Sequence, residues 1–161
     1  MAYPSTFSKA LAVILGFVVA GAVLPTVGGP AWAAPLFKAP FPCGQSWTAS
    51  TYSGHSNGDH AGDFNLYPGQ SDLGQPALAS APGTARSFWD NLGGNMVEID
   101  HGGGWKTWYA HLATVSINNP IDTGEQIGTV GNTTGSGSIS PHLHYEQRLN
   151  GVAQPVAFDG Q

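Results

Sequence analysis

Two kinds of hydrophobic patterning divide this chain. Residues 10–24 form an unbroken apolar run, whereas beyond residue 34 the apolar positions come in short stretches that alternate with polar ones and stop at Gly or Pro. No window after residue 34 sustains the 3.6-residue period of an amphipathic helix. Alternation with a period of two is the mark of strands, whose successive side chains face opposite ways. Strands are predicted at 45–52, 64–67, 77–80, 85–89, 95–100, 105–111, within 123–130, along 143–149 and over 152–158. Polar, Gly-rich connections separate them at 54–62, 68–76, 91–94, 101–104 and 132–140, and Asn150-Gly151 is a type I′ hairpin signal. The pattern predicts an all-β domain without internal repeats.

Within that pattern the stretch Ser140-Pro-His-Leu-His-Tyr-Glu146 stands out. His142 and His144 are two apart, so on a strand both imidazoles project from one face and Leu143 and Tyr145 from the other. Two imidazoles on one rigid strand can divide labour, one holding a metal ion and the other handling protons.

The apolar run has its own grammar. Lys9 precedes it, Pro25 and Gly28-Gly29-Pro30 break it, and Ala31-Trp32-Ala33 offers small residues at both recognition positions before Ala34. A charged start, an apolar centre and an A-x-A site are the parts of a secretory signal peptide, and the run is shorter than the ~20 residues of a spanning helix. The expected organisation is a signal peptide at 1–33, an extended Pro-rich lead-in at 34–41 and one folded domain at 42–161. Export makes the expected location extracellular, free of the membrane once the signal is removed.

From residue 34 onward four Lys and Arg face ten Asp and Glu, a formal charge of −6. An acidic domain with scattered cations lacks the footprint of a nucleic-acid binder, and no basic amphipathic helix marks it for a membrane surface. The 23 Gly and 12 Pro agree with a turn-rich β protein. Cys43 is the only cysteine, and the turn-like Phe41-Pro42-Cys43-Gly44 lacks the helix-start setting that activates a thiol.

Six histidines against five Lys and Arg shift attention to metal chemistry. A catalytic zinc takes three protein ligands of the His and Asp/Glu kind and keeps a fourth position open. His144, Asp63 and either His55 or His60 supply such a set, and spacing alone does not choose between the last two. His111 ends the strand at 105–111, with Tyr109 expected on the same face. It suits a proton carrier or hydrogen-bond donor beside the metal. His101 opens a Gly-rich hairpin and reads as structural.

Taken together these motifs resemble a known family. Pro-His-Leu-His-Tyr-Glu-Gln-Arg, Tyr-Ala-His upstream and a His…Asp pair before that are similar to the lysostaphin-type (LytM-domain, beta-lytic) zinc metalloendopeptidases. Ala-Pro-Gly-Thr at 81–84, Ile-Asp-His-Gly-Gly-Gly-Trp at 99–105 and Gly-Glu-Gln-Ile-Gly-Thr-Val-Gly at 124–131 extend the resemblance over roughly residues 42–155. It implies a small antiparallel β domain, barrel-sandwich-like with a duplicated hybrid motif, and a groove lying across the sheet. It implies one zinc per chain on His55, Asp63 and His144, with His111 and His142 as the catalytic pair. The implied activity is hydrolysis of cross-bridge or stem peptides of bacterial peptidoglycan, which adds cell-wall association to the expected location; the chain is expected to be a monomer. A non-catalytic wall-binding or hydrolase-regulating module of the same fold is the alternative. The sequence departs from many members in separating His55 from Asp63 by eight positions, with His60 between. The beta-lytic branch tolerates that spacing and writes Gly-His-Ser before and Asp-Phe-Asn after, as at 54–56 and 63–65, which favours His55 over His60.

Overall fold

Among the described residues the fold has ten strands: β1 (Trp47–Ser50), β2 (Ala61–Leu66), β3 (Pro76–Leu78), β4 (Thr84–Asp90), β5 (Gly94–Gly102), β6 (Trp105–Ala110), β7 (Thr114–Val115), β8 (Gln126–Thr129), β9 (Leu143–Leu149) and β10 (Val152–Gln154). They belong to a computed structural model that describes residues 33–51, 55, 60–66 and 72–159. The apolar run and the rest of the expected export signal through Trp32 lie outside the described residues. Every strand pairing is antiparallel, and no helix occurs among the described residues, so the all-β expectation is borne out.

The strands form two sheets. The larger runs β1-β2-β9-β6-β5-β4, and β10 pairs with the C-terminal half of β9; the smaller runs β3-β8-β7. Alternation assigns each side chain of the large sheet to one of two faces. Val97 and Ile99 of β5, Tyr109 of β6, and Leu143 and Tyr145 of β9 are all 0% exposed. They share one core with Ala77 of β3, Ile127 of β8, and Leu112, Ile121 and Val130 of the connections. Each such large apolar side chain removed from water contributes about 1.5–3 kcal/mol.

The other face of the same strands carries Met96 and Glu98, then Lys106, Trp108 and Ala110, then His144, Glu146 and Arg148. Register aligns these residues across the sheet. Asp63 of β2 stands opposite His144, which stands opposite Ala110; Glu98 stands opposite Trp108, which stands opposite Glu146. Met96, Trp108, Ala110, His144 and Glu146 of this face floor a groove.

Several boundaries differ from the sequence reading. The first strand is trimmed to Trp47–Ser50, and the last stops at Gln154 rather than running to Phe158. Strand β2 begins at Ala61, inside the expected loop, because Ala61–Phe64 pairs with β9; Asp63 is therefore a strand residue. The short strand β7 has no signal in the sequence and exists through its pairing with β8. Tyr109 and His111 do not share a face. The strand ends at Ala110 and His111 adopts φ 63°, a left-handed conformation uncommon outside glycine, which turns its ring toward the groove while Tyr109 stays in the core. The Asn150-Gly151 turn is as expected: both residues have positive φ, 51° and 82°, as a type I′ turn requires.

Glu98 shows how the groove face tolerates charge. Burial opposes its ionisation, yet Arg86 bonds both carboxylate oxygens (2.9 and 3.1 Å), and Lys106 Nζ and Trp108 Nε1 each donate at 2.8 Å. These donors outweigh desolvation and hold the carboxyl at a pKa of about 2. A depressed carboxyl contributes stability that is present above its unfolded pKa and lost as pH falls through the folded one. Urea titrations between pH 5 and pH 2 should therefore show roughly 1–3 kcal/mol less acid destabilisation in Glu98→Gln than in the wild type, the exposed Arg86 limiting the size. Parallel pH profiles in the two proteins would contradict this assignment.

Candidate metal centre

The centre forms where β2 and β9 pair. Asp63 Oδ1 lies 3.0 Å from His144 Nδ1 and 3.1 Å from His55 Nε2. The ligand atoms of these three residues fall within 4.8 Å of one another. Donors bound tetrahedrally at ~2.0–2.1 Å from zinc stand about 3.3 Å apart, so the trio fits one ion with little movement. Among the described residues no fourth His, Cys, Asp or Glu joins the cluster.

The structure separates the sequence candidates. His55 belongs to the cluster and His60 does not: the His60 ring bonds the Ala153 carbonyl through Nδ1 (3.2 Å) at the end of the sheet. His101 bonds the Pro82 carbonyl (2.8 Å) and the Thr107 hydroxyl (2.9 Å), well within a structural role.

His142 and His111 sit beside the trio with their rings 4.7 Å apart. Each uses Nδ1 on a main-chain carbonyl, His142 on Ser140 (2.8 Å) and His111 on Thr133 (2.9 Å). A carbonyl only accepts, so Nδ1 carries the proton in both neutral rings and Nε2 keeps its lone pair. His142 Nε2 stands 3.5 Å from Asp63 Oδ1. Both rings therefore present a lone-pair nitrogen beside the candidate ligands.

The wall that holds His111 is zipped shut. Asn95 N donates to Thr133 Oγ1 (2.9 Å), Thr133 Oγ1 donates to Leu112 O (3.0 Å), and Gly135 N donates to Asn91 O (2.9 Å). Gly94 has φ 63°, and a Cβ there would collide with the Thr133 backbone, so only glycine lets the two walls approach this closely.

Charge explains the remaining arrangement. Burial raises the Asp63 carboxyl, but the His144 hydrogen bond and the nearby imidazoles lower it further, leaving it below its ordinary value. Burial likewise works against a charged His144, yet Asp63 and Glu146 on its two ring nitrogens overcome this and push it up to about 9 in the metal-free chain. Burial dominates at His111 and lowers it, favouring the neutral ring. The groove continues past the histidines along Met96, Leu92, Trp108 and Ile139, with Asp90 at its rim. Sequence reading assigned nothing to these residues or to Glu146. Its period-two signal could have placed Glu146 with His144 on one face of β9.

Comparison with known proteins agrees with this architecture. The model of peptidase family M23 matches residues 68–156. Over 86 residues the chain is 46% identical to the DD-carboxypeptidase/endopeptidase Mpg of Neisseria meningitidis, covering 52% of this chain and 19% of Mpg. It is 31% identical over 128 residues to the beta-lytic metalloendopeptidase of Lysobacter enzymogenes, covering 72% of this chain and 70% of that protein. The catalytic domain of lysostaphin from Staphylococcus simulans superposes with a TM-score of 0.54 at 26% identity, over 69% of this chain and 86% of that one.

The chain belongs to peptidase family M23 and has the lysostaphin-type fold. Its relatives include proteins named as peptidoglycan DD-endopeptidases. It spans about a fifth of the length of the first curated relatives it matches.

The separation of His55 from His60 yields a direct prediction. His55→Ala should lower zinc affinity at least about 100-fold, as expected when one of three ligands is lost, whereas His60→Ala should bind zinc as the wild type does. Competition with a chromophoric chelator reads both. A zinc loss in His60→Ala equal to that in His55→Ala would contradict the assignment.

Proposed function

We propose that the chain is an exported zinc endopeptidase that hydrolyses peptide bonds in bacterial peptidoglycan, with His55, Asp63 and His144 holding the ion and His111 and His142 handling protons. The observation that carries this reading is the gathering of all five groups at one groove, the two proton-handling rings each anchored through Nδ1. Bound there, zinc supplies Lewis acidity toward a carbonyl oxygen and toward water.

The protein's own residues do the rest. The groove floor receives an extended peptide beside the histidines. An Nε2 of the pair accepts the proton of the attacking water, because its Nδ1 proton is committed to a main-chain carbonyl. That ring, now an imidazolium, returns the proton from Nε2 to the departing amine as the C–N bond breaks, and 4.7 Å between rings sets both beside one tetrahedral centre. No Glu adjoins a ligand histidine in the manner of the His-Glu-x-x-His enzymes, so this pair has to supply general acid–base catalysis. The names of the DD-endopeptidase relatives support bacterial wall peptides as the substrate class. The A-x-A site after the apolar run supports export.

His111→Ala and His142→Ala each test this division of labour. Both variants should retain zinc at about one per chain and lose wall-peptide hydrolysis by roughly 100-fold or more, the range of general acid–base catalysis. Loss of zinc from either would make that residue a ligand rather than a proton carrier. Full activity in either would remove it from the mechanism. Zinc binding without hydrolysis by the wild type, on walls of several cross-link types, would favour the regulatory or wall-binding module.

A further inference from the structure

Glu146 lies two residues beyond His144 on the groove face of β9 and is 2% exposed. One carboxylate oxygen, Oε1, is 3.0 Å from His144 Nε2. The other, Oε2, accepts from Arg148 Nη1 at 2.5 Å, and Arg148 also donates through Nη2 to Gly151 O at 2.7 Å. The Arg148 guanidinium lies over the Trp108 ring at 4.2 Å, and Trp108 Nε1 in turn donates to Glu98 at 2.8 Å. A buried carboxylate is costly unless its oxygens are paired, and both of these are.

The two ring nitrogens of His144 therefore have different work. Nδ1 faces Asp63 and the cluster of ligand atoms, while Nε2 faces away from the cluster, toward Glu146. An imidazole that offers a lone pair at Nδ1 must carry its proton at Nε2, and that proton needs an acceptor. A ring turned over about its Cβ–Cγ bond would place a carbon where Nδ1 stands and lose the Glu146 contact together with the ligand atom.

We infer that Glu146 is a positioning residue: its carboxylate, braced by Arg148 against Trp108 and Gly151, accepts the His144 Nε2–H and holds the ring with Nδ1 aimed at the metal position. Hydrogen-bonded carboxylates of this kind orient ligand histidines and raise their basicity, and their removal weakens metal binding about 10- to 100-fold. The inference rests on the zinc reading above and adds to it a residue outside the ligand set. It also ties the metal to the groove floor, since the brace on Glu146 includes the ring of Trp108 that lines the groove.

Zinc affinity, measured by chelator competition on the full chain, tests this without reference to activity. Glu146→Met keeps the volume and removes the acceptor. It should bind zinc about 10- to 100-fold more weakly. Glu146→Gln keeps an acceptor but not the charge and should lose about three- to tenfold. Glu98→Gln removes a comparably buried carboxylate from the same sheet face without touching His144, and should leave zinc affinity within about twofold of wild type.

Wild-type affinity in Glu146→Met, or an equal loss in Glu98→Gln, overturns the inference. Where Glu146→Met does not fold, Glu146→Gln decides alone, its several-fold loss supporting the inference and its wild-type affinity overturning it. A wild type that takes up no zinc overturns the zinc reading and this inference together, whereas zinc-replete wild type with unaffected Glu146 variants overturns the inference only.

Discussion

The structure depends on one strand doing two jobs. Along β9 the period of two sends Leu143 and Tyr145 into the core at 0% exposure and His144 and Glu146 to the groove face. A slip of one residue in register would exchange these sets, turning an imidazole and a carboxylate into the apolar core and the core side chains out of it. The hydrophobic core therefore fixes where the candidate ligands point. The same register sets His144 opposite Asp63 on one side and the small Ala110 on the other. Site geometry and core packing are the same constraint seen from two faces.

Around that strand the site is built by limiting what each histidine can do. Carbonyls of Ser140 and Thr133 fix one nitrogen each of His142 and His111, leaving the other basic. Carboxylates occupy both nitrogens of His144, one from the ligand set and one from behind. Main-chain acceptors suit rings that must gain and lose protons, because they hold a tautomer without adding charge. A carboxylate acceptor suits a ring meant to bind a cation, because it raises ligand basicity. The hydrogen-bond partners thus match the proposed division between proton carriers and ligands.

Much of this was legible in the sequence. Alternation around His142 and His144, the absence of a helical period, and the Asn150-Gly151 turn lead to an all-β domain with two histidines beside a core strand. The motif set leads to the lysostaphin-type resemblance, which the match to family M23 bears out. What escaped were features that depend on partners distant in sequence. Strand β2 starts at Ala61 because β9 lies alongside it, and polarity alone marked that stretch as loop. His111 left the face of Tyr109 through a left-handed backbone angle, for which a non-glycine residue gives no local warning. Glu146 was visible as a letter in the motif, but its purpose emerges only when Arg148 and the second nitrogen of His144 are seen together.

The most direct test of the account joins metal content to activity in one preparation of purified chain. Zinc content and turbidity loss of bacterial cell walls are measured before chelation, after chelation and after zinc is restored. The expected result is about one zinc per chain and lysis that disappears with the chelator and returns with zinc. Lysis that persists after complete removal of metal, or stoichiometric zinc without hydrolysis of any wall peptide, would contradict it.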